Sequence, residues 1–417
     1  MEILSTGEKI KRARIYKGFT LKELCREKIS VSKMSCIENG KVAAENWILD
    51  FVAKQLDIPF DYLKQGVKEQ ILTNLEKVKK IKNPVKYEEG LEYNLKYAEE
   101  YGYKDVAFNL VHLLFNHYLT SNELEKVQLI ISKYYELWNE CNTTENEMLY
   151  YMDLASYFYA TEEYIQAAGY YKNVRAVSKK SSDNNTLARA TYNEAACFFM
   201  MKNYERAYEI AVRLSELVNY LELDLKKAEV YHLLGMLALR RDENKFSDYE
   251  KRACELYGGN MEYNAYALYD YASVMLDVNQ EDRAVSYIKR ALECFPEDKA
   301  FERVDFILKC IHDLVDHNLL ESAREECDHV LNLAIKIDNI KFIEKAYYFK
   351  SIILEGEGEY IKAEMYMNLA LDALLKFGTN SEIYKRYIQM GYMYHRFNNI
   401  PESLKYFNFA IQLDRKM

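Results

Sequence analysis

A chain of 417 residues with four prolines and fourteen glycines has too little turn punctuation for a many-stranded sandwich or barrel, and too much length for one ordinary core. At 49% hydrophobic and 29% charged it has the composition of a globular chain that folds in water, and no stretch approaches the roughly eighteen apolar residues of a membrane span. Residues 1–82 hold 17 Lys and Arg against 11 Asp and Glu, net +6, so with the whole chain at −9 the remainder carries −15. A basic head on an acidic body directs only the head toward a polyanion.

The opening MEILSTGEKIKRAR places charges where an export signal needs an apolar run, so no export is expected. Cys25, Cys36, Cys141, Cys197, Cys254, Cys294, Cys310 and Cys327 include no C-x-x-C pair. They read as reduced, mostly buried thiols rather than a disulfide framework or a zinc site.

In chain order, residues 7–17 place Ile10, Ala13 and Arg14 at helical spacing, and Gly18 ends that helix. Thr20 with Glu23 is a capping box, so a second helix starts at Leu21 and buries Leu21, Leu24 and Cys25. Ser30 caps a third helix, Val31 to Glu38, which buries Met34 and Ile37 and stops at Asn39-Gly40. Trp47, Ile48, Phe51, Val52 and Leu56 predict a fourth amphipathic helix, and Ile58-Pro59-Phe60 with Leu63 a fifth. Two short helices joined by a tight turn, flanked by packing helices within about sixty residues, lay the second helix in a DNA major groove.

The stretch TLKELCREKISVSKMSCIENGK resembles the lambda-repressor-like (XRE) DNA-binding domain, with a T-x-x-E-L-A second helix and a V-S-x-S-x-I-S-x-I-E-N-G recognition helix. Thr20, Glu23, Leu24 and Cys25 fill the first pattern. Ile29, Ser30, Ser32, Met34, Ser35, Ile37, Glu38, Asn39 and Gly40 fill the second, and the segment between the two is one residue shorter than usual. The resemblance implies base contacts from Val31, Ser32, Lys33 and Cys36: Val31 to a thymine methyl, Ser32 either way, Lys33 to guanine or a phosphate. It also implies phosphate contacts from Thr20, Lys22, Ser30, Asn39 and Lys41 that fix register without reading sequence.

Beyond the head a small residue or its replacement recurs at Val127, Ala167, Ala207, Ser247, Ala284, Ala323, Ala363 and Ser403, a period near forty. Twelve residues before each stand Phe115, Ala155, Ala195, Gly235, Ala272, Ile311, Ser351 and Gly391. The pattern resembles the tetratricopeptide repeat with lengthened helices, each unit being helix A, a short turn such as the one at Glu355–Glu359, and helix B. The expected fold is therefore all-α. A lambda-repressor-like helix-turn-helix at residues 1–63 and a linker helix at 64–84 precede a right-handed tetratricopeptide-like superhelix of about eight units at 85–417.

Gly258-Gly259 and Gly356-Glu357-Gly358 lack the preceding strand and the spacing of a phosphate loop and read as turns. His112 with His117, and His312 with His317, diverge by about 140° on a helix and do not share a metal. No catalytic set emerges, and neither a cofactor nor an enzymatic activity is expected.

The register puts Asn109, His112, Asn116, Met152, Tyr159, Arg189, Tyr192, Asn193, His232, Tyr266, Tyr269, Asp270, Asp305 and His312 on or near an inner wall built from helices A. Asn matches a peptide N–H and C=O at once, Tyr gives contact area at low entropic cost, and Arg189 can pair with a carboxylate. Most of the 38 tyrosines are expected to pack between helices.

Head and repeats together resemble the RRNPP group of peptide-responsive regulators of Gram-positive bacteria. That resemblance implies a cytoplasmic, homodimeric transcription factor that binds double-stranded DNA and a short signalling oligopeptide in a quorum-sensing role. The group's peptide-gripping asparagines correspond to Asn193, and further to Asn109 and Asn116. The alternative is a protein-interaction scaffold or response-regulator antagonist that acts through the repeat groove.

Overall fold

The structure, a computed structural model, describes residues 2–415, and among these there is no strand. The chain divides into two compact units, residues 1–203 and 204–417.

The first unit opens with five short helices: α1 (Thr6–Tyr16), α2 (Leu21–Cys25), α3 (Val31–Glu38), α4 (Asn46–Leu56) and α5 (Phe60–Lys64). They enclose a core of Ile10, Leu24, Cys25, Met34, Ile37, Ile48, Val52, Leu56 and Leu63. Local chemistry sets the starts of α2 and α3. The Thr20 hydroxyl accepts from the Glu23 N–H while the Glu23 carboxylate accepts from the Thr20 N–H. Ser30 caps Lys33, and Gly18 and Gly40 take positive φ at the two helix ends. The shortened turn between α2 and α3 is made by Arg26 at φ 45° and ψ −136°, a conformation natural to glycine. Trp47, expected on the buried face of α4, is 49% exposed.

The same unit continues through α6 (Val67–Val78), α7 (Pro84–Glu100), α8 (Lys104–Thr120), α9 (Leu124–Glu140), α10 (Thr144–Ala160), α11 (Tyr164–Ser181) and α12 (Asn184–Met200). The expected linker, residues 64–84, contains α6, whose Val67, Ile71, Leu75 and Val78 share one core with Leu91, Leu95, Phe108 and Val111. It is thus packed as part of the repeat layer. Ile3, in the segment before α1, enters that core as well. Gln70 accepts from the Leu4 N–H and donates to the Leu4 carbonyl. The buried Lys9 ammonium donates to the carbonyls of Tyr62 and Gln65 at 2.6 and 2.7 Å, and burial lowers its pKa.

The second unit holds α13 (Tyr204–Ser215), α14 (Asp224–Arg241), α15 (Phe246–Tyr257), α16 (Met261–Asp277), α17 (Glu281–Cys294), α18 (Ala300–Asp316), α19 (Leu320–Ile337), α20 (Ile340–Gly356), α21 (Tyr360–Leu374), α22 (Asn380–Arg396) and α23 (Ile400–Asp414). They pack as hairpins, α14 with α15 through α22 with α23, in the manner of tetratricopeptide-like repeats.

Val127, Ala167, Ala207, Ala284, Ala323, Ala363 and Ser403 are buried as the register requires. Five residues before each of them the chain takes positive φ, at Asn122, Glu162, Lys202, Asn279, Asn318, Gly358 and Asn398. The fourth repeat departs from this. A 3-10 turn at Glu243–Lys245 shifts its second helix, Ser247 is exposed, and Phe246 is the buried residue in its place. The large ring fits because Gly235 leaves room: a Cβ there would come within 2.8 Å of Tyr271, whose ring meets Phe246 edge-on at 5.1 Å.

Of the cysteines, Cys25, Cys197, Cys310 and Cys327 are buried, Cys36, Cys141 and Cys294 half-buried and Cys254 exposed, so burial is less general than expected. Among the described residues no helix is long and apolar enough to cross a membrane.

Candidate functional site

Most of the expected DNA-contact residues of the head are exposed. Thr20, Lys22, Ser30, Val31, Ser32, Asn39 and Lys41 are exposed, while Lys33 and Cys36 are half-buried. The N-terminus of α3 therefore offers its free N–H groups beside exposed hydroxyls, an arrangement that suits a phosphate. Besides Thr20 and Ser30, whose hydroxyls cap α2 and α3, two more of the expected contact residues are engaged within the head. Asn39 donates to the Ser35 carbonyl at 2.9 Å, and the Lys33 ammonium pairs with Glu45 at 2.8 Å. The Arg14 guanidinium grips the buried Glu38 carboxylate at 2.7 and 2.8 Å, joining α1 to α3.

Of the expected wall residues in the first unit, Asn109 and Arg189 are exposed and Met152, Tyr159, Tyr192 and Asn193 half-buried, Asn193 within hydrogen-bonding reach of the Tyr171 hydroxyl. His112 and Asn116 are drawn together on α8 by a residue that the sequence reading did not single out, the buried Asp153 of α10. One Asp153 oxygen lies 2.6 Å from His112 Nδ1 and accepts from the Tyr134 hydroxyl at 2.8 Å; the other accepts from Asn116 at 3.2 Å. Burial and the Asp153 charge drive the Tyr134 pKa far up, so this hydroxyl stays a donor. The cluster makes His112 and Asn116 as much packing residues as wall residues.

In the second unit Tyr269, Asp305 and His312 share a cavity of about 660 Å³ lined by α16, α18, α20 and α22, the first helices of four successive hairpins, and by Leu374 at the end of α21. His232 and Asp270 form a separate pair 3.5 Å apart, and Tyr266 stacks edge-on against Phe295 and Phe306. Burial pulls the His232 pKa down to about 4 and pushes that of Asp270 up to about 6, so at neutral pH the imidazole is uncharged.

The cavity's own polar groups are mostly ones that sequence reading missed. Tyr269 donates to Asp313 at 2.6 Å, and the Lys309 ammonium lies 4.4 Å above the Tyr269 ring. Gln389 donates to the Tyr348 hydroxyl at 2.8 Å. Glu344 and Arg386 form a buried ion pair at the cavity wall, while Lys309, Lys345 and Lys385 keep exposed ammonium groups. A forty-residue column of Asp305, Lys345 and Lys385 could have revealed this face. Carboxylates, ammonium groups, an amide and tyrosines over one concave surface suit a ligand rich in both donors and acceptors, as a peptide is.

No protein-family model and no curated protein sequence matches the chain. Among solved structures it is similar to a Rap protein complexed with competence and sporulation factor, at 15% identity and a TM-score of 0.44 over 84% of this chain and 98% of that one. It is similar to aspartyl phosphate phosphatase F from Bacillus subtilis, at 15% identity and a TM-score of 0.42 over 99% and 96%. A third is PlcR from Bacillus thuringiensis in complex with the peptide PapR7 and DNA, at 17% identity and a TM-score of 0.33 over 63% and 97%. Likeness at this level assigns neither a ligand nor an activity to this chain.

Proposed function

We propose that the chain is a cytoplasmic, homodimeric transcriptional regulator of the RRNPP type. Its head seats α3 in the major groove of double-stranded DNA, and its repeats bind a short signalling peptide that alters operator affinity. The observation that carries the reading is the exposed start of α3: Ser30, Val31 and Ser32 lie open at one helix N-terminus, and Thr20 and Lys22 of the preceding helix are exposed as well, on a segment of net charge +6. The cavity on α16 to α22 supports the peptide half of the reading, because its mixed polar lining matches a backbone and its termini.

Duplex fragments selected from genomic DNA by the purified protein test the first half. A specific gel shift that weakens steeply with salt is expected, whereas a scaffold or a response-regulator antagonist gives none. Adding a fractionated pool of short secreted peptides tests the second half, since the active peptide must change the shift. Charge reversal at both Lys309 and Lys385 is expected to abolish that response and leave DNA binding intact.

A further inference from the structure

The head carries an acid that no feature of the fold requires. Glu45 is the N-cap residue of α4, with φ −70° and ψ 152°, yet its side chain makes no cap hydrogen bond. It reaches across to α3 instead: one oxygen accepts from the Lys33 ammonium at 2.8 Å and the other from the Trp47 indole N–H at 2.7 Å. The ammonium also lies 5.9 Å from the centre of the Trp47 ring. This explains the exposed tryptophan, whose ring leaves the core to hold a carboxylate. Both Lys33 and Glu45 stay accessible, with side chains 37% and 58% exposed.

A lone lysine on a recognition helix grips any phosphate, which strengthens binding to every sequence alike. A carboxylate fixed beside it changes that balance. Moving Lys33 onto a phosphate would break an ion pair and bring Glu45 toward a like charge. At a guanine edge the same lysine can keep its pair with Glu45 and donate its remaining protons to O6 and N7. Hydrogen bonds from Lys33 and Trp47 hold the Glu45 carboxyl below its usual pKa, so the charge persists through the physiological range. We infer that Glu45, held by Trp47, is a specificity-determining residue that keeps Lys33 off the phosphate backbone and reserves it for base contact. This rests on the DNA-binding reading above.

The test compares the full-length wild type with Glu45→Gln, Glu45→Asp and Trp47→Phe on two labelled duplexes, one selected by the wild type and one scrambled, across a salt series. Glu45→Gln is expected to bind the scrambled duplex about tenfold more tightly and to steepen the slope of log affinity against log salt by about 2, as the freed lysine on each of the two heads neutralises one more phosphate. Discrimination between the duplexes falls correspondingly, Trp47→Phe moves the same way by less, and Glu45→Asp restores most of the wild-type ratio. A Glu45→Gln protein whose slope and ratio equal the wild type's, or which loses affinity for both duplexes equally, overturns the inference while leaving DNA binding standing. A wild type that shifts no duplex removes the DNA reading and this inference together.

Discussion

Glu344 on α20 and Arg386 on α22 are 42 residues apart in sequence and meet at 2.6 Å with almost no solvent on either, while the guanidinium carbon lies 3.9 Å over the Tyr348 ring. Burial raises the Glu344 pKa and lowers that of Arg386, so each charge depends on the other. Removing one partner strands a charge in a dry wall. Arg386→Ala is expected to cost about 3 to 5 kcal/mol, and the double variant Glu344→Gln with Arg386→Met distinctly less. Urea unfolding followed by hydrogen exchange on α20 to α22 checks it; a double variant that costs as much as Glu344→Gln and Arg386→Met added together would show that the pair is not coupled.

The turn of the head offers a simpler test. Arg26 occupies a region that a side chain disfavours, so Arg26→Gly is expected to stabilise the head by about 1 kcal/mol despite the added freedom of the unfolded chain. Slower exchange of amides in the core around Leu24 and Met34 is the readout, and faster exchange would place the strain elsewhere.

Tyr271 is 1% exposed, and its buried hydroxyl has no hydrogen-bond partner among the described residues. Tyr271→Phe keeps the ring that packs on Phe246 and His232 and removes an unsatisfied polar atom. A gain of about 1 kcal/mol is expected, where tyrosine-to-phenylalanine changes that break a hydrogen bond cost a similar amount. Gly235→Ala, by contrast, drives a methyl into the same ring and lowers the melting temperature.

The His232–Asp270 pair makes stability depend on pH in two opposed ways. With a folded pKa near 4, His232 binds fewer protons in the fold than in the unfolded chain, so its term favours folding more as pH rises from about 4 to 6.5. Asp270, raised to about 6, binds more protons in the fold and so loses stability as pH rises from about 4 to 6. Removing the acid exposes the histidine term. Asp270→Asn is expected to lose more stability than wild type when acidified from pH 7 to pH 4. His232→Gln should instead gain on acidification relative to wild type. Thermal melts at pH 4 and pH 7 decide the signs.

Much of this molecule is written locally. Thr20-x-x-Glu23 and Ser30 fix where α2 and α3 begin, and the observed caps fall on those residues because a hydroxyl three residues ahead of an N–H needs no tertiary context. The forty-residue period survives in the buried alanines for the same reason, each being the residue that lets two helices approach. The fourth repeat was misread by one residue because a 3-10 turn changes the loop length, and small-residue periodicity does not report loop length.

The cavity was legible only in part. Tyr269, Asp305 and His312 follow from the register, but Glu344 with Arg386 is a pairing between two hairpins that neither segment announces alone. Asp153 was overlooked because a single acid on an apolar helix has no motif; its meaning comes from His112, Asn116 and Tyr134 converging on it.

The measurement that bears most directly on the account is the anisotropy of a labelled, wild-type-selected duplex against protein concentration at several salt levels between about 50 and about 200 mM. Specific binding is expected, its log affinity falling linearly with log salt at a slope of about −4 or steeper. The slope is expected to be cut by about 3 to 4 when Lys22 and Lys41 are both changed to Ala, since each of the two heads loses two phosphate contacts. Binding that ignores salt and both lysines, or no binding to any duplex, would contradict it.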